Sequence, residues 1–407
     1  MTAKPTVLIA LKLYTYVLLL GLQEAILNPR QLLESIRTWL VLKRSSYQGA
    51  AKDYFWGEWV ARRYLRTKKL SLIRPKPSIW PKIQGFLTVD FLKQRRVDRY
   101  KGLNQRPRIL LIRAGAMGDV LLMTPVVREM FKRHGGFCDI TIATRSTELF
   151  KNSPYVHNVM DLKTLRKGRH DFDVVIDLDM TIERNRAVHT TDVYAFYALG
   201  ITSAEVECHF DRQPEIFPDS QDIVHVKSLI KKYSNGYIVC HNRVDPGQPY
   251  RNVALPTWQE LLRKLVDQFQ LPILQIGMPP HDVALDTHPL LIDLRGQISL
   301  AQLKVLIDGA SLFVGTDAGP LHIAACTQTP IVSFFSIAHH ELRRPLRQSS
   351  RETFVPITPK IECYGCAQNQ LIDWTFSCHR GDSACTSLFD ANEALSACSQ
   401  LIEIRQK

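Results

Sequence analysis

A short apolar run, RILLIR at 108–113, leads at once into a glycine-bearing turn, AGAMGD, and then into a helix-patterned stretch, VLLMTPVVREMFKRHGG, closing on Gly135 and Gly136. Strand, glycine turn and helix in that order restrict the fold more than any other feature, because a strand buried on both faces needs helices above and below it. The alternation recurs. DITIAT (139–144) and DVVIDLD (173–179) read as further strands, followed by an apolar stretch at 193–199. A second series opens at Tyr237 with YIVCH. It continues with a helix at 258–269, strands at 272–277 and 290–296, a helix at 300–310, a strand at 312–315, a helix at 320–327 and a strand at 330–335. The pattern predicts an α/β protein with two halves of similar size, each built on a parallel sheet, joined by a polar junction near 211–236. Ligands of open α/β sheets sit outside the carboxyl ends of the strands, so two facing halves should enclose a cleft there.

A chain of 407 residues exceeds what one hydrophobic core usually serves. The predicted divisions are a basic amphipathic helical extension with linker at 1–105, a first Rossmann-like domain at 106–225, a second at 226–389, and a C-terminal helix at 390–407 that crosses back. The net charge of +13 has the sign of a nucleic-acid binder, but its placement argues otherwise: residues 1–108 hold 22 of the 52 Lys and Arg and only 6 of the 39 Asp and Glu. The body of the chain is close to neutral, and no specific nucleic acid partner is expected for it. A non-catalytic nucleic-acid-binding role through the basic segment is the competing reading.

Within that segment, residues 5–22 are apolar but interrupted by Lys12 and lack a small-residue cleavage site, which fits neither a signal peptide nor a clean membrane span. Residues 31–44 and 53–70 alternate apolar and basic side chains as amphipathic helices do, the second with Phe, Trp and Tyr among Arg and Lys. Such faces suit an anionic membrane surface; a helical subdomain packed on the body or on a second copy, and a true transmembrane helix, are the alternatives. Pro75, Pro77, Pro81 and Pro107 mark a linker before the first strand.

Three loops carry candidate chemistry. In the first, Arg113 to Asp119, the glycines allow close backbone approach, and Asp119 can either take a proton from an attacking hydroxyl or cap the helix from Val120. The GxGxxG spacing of a dinucleotide fingerprint is absent. In the second, Val314 to His322, Thr316 or Asp317 can cap the next helix, and the turn at Gly319 can hold a diphosphate or serve packing alone. His322, one turn into that helix, is open to a packed or a functional role. The third loop, Asn242 to Asn252, offers Arg243 and Arg251 as paired N–H donors for phosphate oxygens. Asp177 and Asp179 end the strand at 173–179, where they either face an acceptor or merely stabilise a turn.

The segments RILLIRAGAMGDVLLMTPVVREM and LFVGTDAGPLHIAACTQTPIVSFF resemble the two signature segments of glycosyltransferase family nine, the ADP-heptose:lipopolysaccharide heptosyltransferases, and the likeness spans about residues 106–406. It implies a GT-B fold, with the first Rossmann-like domain binding acceptor and the second the nucleotide sugar, and inverting transfer with no catalytic cofactor. By the same resemblance Asp119 is the general base. Arg251, Thr316, Asp317, Ala318, Gly319 and His322 bind the donor; Arg113, Gly118, Asp177 and Asp179 face the acceptor. The implied partners are ADP-heptose or another nucleotide sugar and a lipopolysaccharide core acceptor. The implied location is cytoplasmic, peripheral on the inner membrane of a Gram-negative bacterium. Two positions depart from the family pattern: Ala318 stands where Thr or Ser is common, and Phe335-Ser336-Ile337 where Phe-Gly-Pro is common. They keep open a different nucleotide sugar, or a capsule or protein acceptor.

Of nine cysteines, Cys138, Cys208, Cys240, Cys326 and Cys398 lie in or near apolar stretches and read as small core residues. Cys363, Cys366, Cys378 and Cys385 are different. Four thiols within 23 positions, beginning with a CxxC, can enclose one tetrahedral ion, so structural zinc or iron, free thiols and disulfides are the three readings. A similar cluster near the C-terminus belongs to the family pattern.

Overall fold

A computed structural model describes residues 106–162, 164–165, 172–179, 181–184, 189–199, 211–242, 249–279, 288–347, 353–368, 378 and 380–406. The basic segment 1–105, with the amphipathic helices and membrane contact expected of it, lies outside the described residues, as do Arg243 and Cys208. Among the described residues no helix is long and apolar enough to cross a membrane.

Two all-parallel sheets form the frame. The first comprises β1 (Arg108–Arg113), β2 (Asp139–Thr144), β3 (Asn158–Asp161) and β4 (Val174–Asp177), in the order β3-β2-β1-β4. Ile109 lies opposite Ile140 on one side and Val174 on the other. The second comprises β5 (Ile238–His241), β6 (Ile273–Gln275), β7 (Leu291–Asp293), β8 (Leu312–Thr316), β9 (Ile331–Phe334) and β10 (Phe354–Ile357), in the order β10-β9-β8-β5-β6-β7. Central strands are buried on both faces, as their unbroken apolar sequences require: every residue from Ile109 to Arg113 and from Leu312 to Thr316 is buried. In each sheet the strand order reverses beside its first strand, between β1 and β4 and between β5 and β8. Reversals of this kind open a crevice at the strand ends. The first ends in Arg113 and Asp177, the second in His241 and Thr316.

The helix expected after the first glycine turn is two helices, α1 (Met117–Leu121) and α2 (Thr124–Arg133). Pro125 in the first turn of α2 has no N–H to continue the ladder, so the chain restarts there. α3 (Thr181–Arg184) and α4 (Thr190–Leu199) complete the first half. The region expected to be a polar junction contains α5 (Ser220–Ile230), started by a capping box between Asp219 and Asp222. Buried Arg128 ties the approach to α5 onto α2, pairing with Glu215 at 2.6 Å and Asp211 at 3.2 Å.

α6 (Leu255–Phe269) buries Trp258, Leu261, Leu262, Leu265 and Val266 along one stripe, the amphipathic arrangement read from its sequence. α7 (Leu300–Asp308) starts on a Ser299–Gln302 capping box, α8 (Gly319–Ala324) follows β8 and α9 (His340–Arg343) follows β9. The last helix, α10 (Ala391–Gln406), does not cross back: it packs on α6 and on β8, β9 and β10. Its buried face of Ala391, Ala394, Ala397, Cys398, Leu401 and Ile402 is mostly small, which lets it lie close against Trp258 and Leu262. Cys138, Cys240 and Cys398 are buried core residues as expected, and Cys326 is half-buried.

One apolar cluster runs through both halves. It joins Leu121, Leu122 and Met123 of the first with Leu321, Ile323 and Phe335 of the second. α1 and α8 therefore touch, which brings the two glycine turns together.

Candidate functional site

The first glycine turn is organised by Arg113, fully buried at the end of β1. Its guanidinium crosses directly over Gly115, where a Cβ would lie 2.5 Å from Nη2, so glycine is required for the side chain to fold back. Nη1 donates to Asp179 Oδ1 at 3.3 Å, Nη2 donates to Asp119 Oδ2 at 3.3 Å, and the Tyr194 ring lies 5.8 Å away. Asp179 also accepts the Ala114 N–H at 3.2 Å, and Asp177 accepts the Asp179 N–H at 3.1 Å. Asp179, its backbone held by Asp177, therefore orients Arg113, which orients Asp119.

Asp119 does not cap a helix. The N-cap of α1 is Ala116, with no side-chain cap, and the Asp119 carboxylate points instead to two guanidinium groups. Oδ2 meets Arg113, and Oδ1 accepts from Arg343 Nη1 of the second half at 3.1 Å. Burial works to raise its pKa, but Arg113 and then Arg343, helped by His322, outweigh burial and hold the carboxyl below its ordinary value.

The second glycine turn carries Thr316, Asp317, Ala318 and Gly319. Neither Thr316 nor Asp317 caps α8; the N-cap is Ala318, which has no side-chain acceptor. Asp317 instead receives Arg251, whose Nη2 donates to its backbone carbonyl and, at 2.9 Å, to Oδ2. His322 projects across the gap between halves: a Cβ on Gly118 would lie 2.7 Å from its Cδ2, and one on Gly319 would meet Met117 Cε. Burial first, with Arg343 and Arg251 adding and Asp317 and Asp119 opposing, pushes the His322 pKa down to about 4, so the ring is neutral at pH 7. Its Nδ1 is buried and, among the described residues, has no hydrogen-bond partner.

Arg113, Gly118, Asp119, Asp177 and Asp179 thus gather at the first crevice, and Arg251, Thr316, Asp317, Ala318, Gly319 and His322 at the second, with Gly118 and His322 in contact. Reasoning from sequence missed Arg343 and His189. Buried His189 donates from Nε2 to the Arg344 carbonyl at 3.0 Å and accepts the Thr191 N–H at Nδ1, a second polar link between halves. A cluster of Arg343, Arg344 and Arg347 in the segment between two strands is the signal that could have found the first of them.

The four-thiol metal site is not assembled: among the described residues no three His, Cys, Asp or Glu side chains form a group able to hold a metal ion. The thiols share a neighbourhood. Cys366 is pushed up to about 11, mostly by burial, with Cys363, Cys385 and Cys378 adding. Two of them have local partners. Cys385 donates to the Tyr250 carbonyl at 3.7 Å, and Cys378 takes backbone N–H groups of Ser383, Arg380 and Gly381. The cysteine segment is pinned to the loop after β9 by Gly365 N–H to the Ser336 carbonyl (3.2 Å) and Ala367 N–H to the Ile337 carbonyl (2.8 Å). No reaction step is assigned to a metal.

Two Rossmann-ordered parallel sheets meeting across their glycine turns define the class, the GT-B fold of glycosyltransferases. Solved structures share it. The chain is similar to the glycosyl transferase family 9 of Veillonella parvula (TM-score 0.56, 14% identity, 74% of this chain and 99% of that one). It is similar to ADP-heptose lipopolysaccharide heptosyltransferase II of Escherichia coli (TM-score 0.55, 14% identity, 74% and 100%). It is also similar to TibC, described as an iron-containing dodecameric glycosyltransferase, of enterotoxigenic Escherichia coli (TM-score 0.53, 16% identity, 74% and 77%). At these identities the likeness is one of fold. Residues 257–370, within the second half of the chain, match the model of glycosyltransferase family 9 (heptosyltransferase). A stretch of 52 residues is 44% identical to lipopolysaccharide heptosyltransferase 3 of Escherichia coli, spanning 13% of this chain and 15% of that protein.

Proposed function

We propose that the chain is an inverting glycosyltransferase that moves heptose from ADP-heptose to a lipopolysaccharide core or related glycan acceptor. One observation carries the reading: a carboxylate at the first crevice, Asp119, faces the Arg251–Asp317 and His322 group of the second across touching glycine turns. The family match supports transfer, and TibC, solved in complex with ADP-D-beta-D-heptose, supports a nucleotide sugar as donor.

In this reading the acceptor hydroxyl attacks the anomeric carbon from the side of the first half. A carbon–oxygen bond forms as the bond from that carbon to the diphosphate breaks. The hydroxyl proton passes to Asp119, and the electron pair leaves with ADP. Arg251 neutralises the charge that grows on the leaving diphosphate. His322, neutral and buried, offers Nδ1 to a polar group of the bound donor. Arg113, fixed by Asp179, sets the direction of Asp119.

Ala318 favours attention to a second donor. With no hydroxyl at the start of α8, the donor sugar or phosphate loses one side-chain hydrogen bond there, so UDP and GDP sugars belong in the same test. Contact of segment 1–105 with an anionic membrane surface, beside a lipid-linked acceptor, is part of this proposal and rests on the sequence of that segment. A panel of nucleotide sugars, each scored by its effect on the melting temperature, tests the donor. Binding stabilises the folded state, so a rise with ADP-heptose alone supports the reading, and a rise only with a UDP or GDP sugar replaces the donor.

A further inference from the structure

Asp119 is held by two arginines of unequal freedom. Arg113 is fully buried, bonded to Asp179, packed beside Tyr194 and part of the first half, so it moves only with its sheet. Arg343 comes from the second half, on the four-residue helix α9, and its side chain is 26% exposed. Among the described residues its ion-pair partner is Asp119. The helix follows β9, which pairs with β8, the strand that ends at Thr316 just before Asp317. An anion docking beside Arg251 and Asp317 therefore arrives on the side from which Arg343 reaches across.

We propose that Arg343 is a positioning residue that couples donor arrival to the base: a nucleoside diphosphate group takes its guanidinium, and Asp119 Oδ1 is released to receive the acceptor proton. The inference rests on the function proposed above and deepens it. The exchange needs no new bond. A diphosphate carries more negative charge than a carboxylate and offers several oxygens to the planar donors of arginine, so it competes well. Arg113 stays on Oδ2 throughout and preserves the orientation of the carboxylate. Before donor arrives, the acceptor finds a carboxylate with both oxygens occupied and weakened as a base.

Every element around Asp119 contributes to its charge balance: Arg113 on β1 with Asp179 after β4, Tyr194 on α4, His322 on α8, Arg343 on α9, and more distantly Arg251 and Asp317. Arg113 and Arg343 are the two guanidinium groups that hold the Asp119 carboxyl down, and of these only Arg343 comes from the second half, so its removal tests the coupling between halves. In Arg343→Gln the acid limb of the kcat/KM profile should move up by about one pH unit, as expected on losing one adjacent opposite charge. Arg343→Lys should restore most of it.

Calorimetric titration of the full chain with ADP, with UDP and GDP in parallel, separates this role from a merely structural one. Arg343→Gln should bind the effective nucleotide roughly tenfold more weakly. Asp119→Asn should bind it several-fold more tightly, because Arg343 is no longer drawn to a carboxylate. A structural ion pair gives the opposite for Asp119→Asn, since breaking it loosens the site, and that result overturns the proposal. If Arg343→Gln does not fold, Asp119→Asn decides alone, because it removes the charge and keeps the shape. Wild-type protein that binds no nucleoside diphosphate defeats the proposed function itself. Wild-type binding with unchanged affinity in both variants defeats the coupling only.

Discussion

Asp119 Oδ1, in the first half of the molecule, lies 3.1 Å from Arg343 Nη1 in the second, 224 positions away in the chain. A contact over that sequence distance is made by tertiary closure alone. It joins the first half of the molecule to the half that matches the glycosyltransferase family 9 model.

If Asp119 is the base, Asp119→Ala should lower kcat by about two to four orders of magnitude, the usual worth of a positioned general base. Donor binding should survive. A transfer assay with initial rates at saturating donor checks this, and retention of more than a tenth of wild-type turnover would remove Asp119 from the mechanism.

Arg113 is a buried charge with fixed partners. Arg113→Met leaves Asp179 without the cation it pairs with here and Asp119 with Arg343 alone, and breaking one side of a buried pair typically costs about 3–5 kcal/mol. Urea unfolding should show the midpoint falling with the slope unchanged. A change below about 1 kcal/mol would mean that Arg113 is not the organiser of this turn.

The two facing glycines should differ. A Cβ on Gly118 meets the buried His322 ring at 2.7 Å, which has nowhere to move, whereas one on Gly319 meets the end of the flexible Met117 side chain. Gly118→Ala should cost about 1–3 kcal/mol, and Gly319→Ala less than about 1 kcal/mol. Equal melting temperatures for the two variants would contradict the contact between the turns.

These contrasts show what was legible in the sequence. The doubly buried strands, from RILLIR to PIVSFF, could be read because a continuous apolar run between glycine turns has few other uses. The residues at the two crevices followed, since strand ends and glycine turns fix where such sites lie. Arg343 could not be placed this way: its partner comes from the other sheet, and one arginine in LRRPLR looks like any other until closure selects it. α5 was hidden for a different reason. Its inner face buries only Val226 fully, so its polar sequence read as a junction. The four cysteines had suggestive spacing, but spacing does not report that Cys385 and Cys378 are already engaged locally.

His322 supplies a pH dependence of stability. Its folded pKa of about 4 lies below the ordinary 6.5, so the unfolded chain binds the proton first as pH falls. Stability is therefore full above pH 6.5 and is lost between pH 6.5 and 4, by about 3 kcal/mol at most. His189, also driven down chiefly by burial, acts in the same direction. The melting temperature should fall across this window, less steeply in His322→Gln. Parallel curves for the two proteins would show that His322 is not the buried neutral ring described.

The central claim is tested by mixing the purified full chain with ADP-heptose and a lipopolysaccharide core acceptor lacking its terminal heptose, and following both products by mass spectrometry. The account predicts acceptor gaining one heptose for each ADP released, with inverted anomeric configuration, and no gain with Asp119→Ala. Acceptor left unmodified by ADP-heptose while another nucleotide sugar is consumed, or equal transfer by Asp119→Ala, would contradict it.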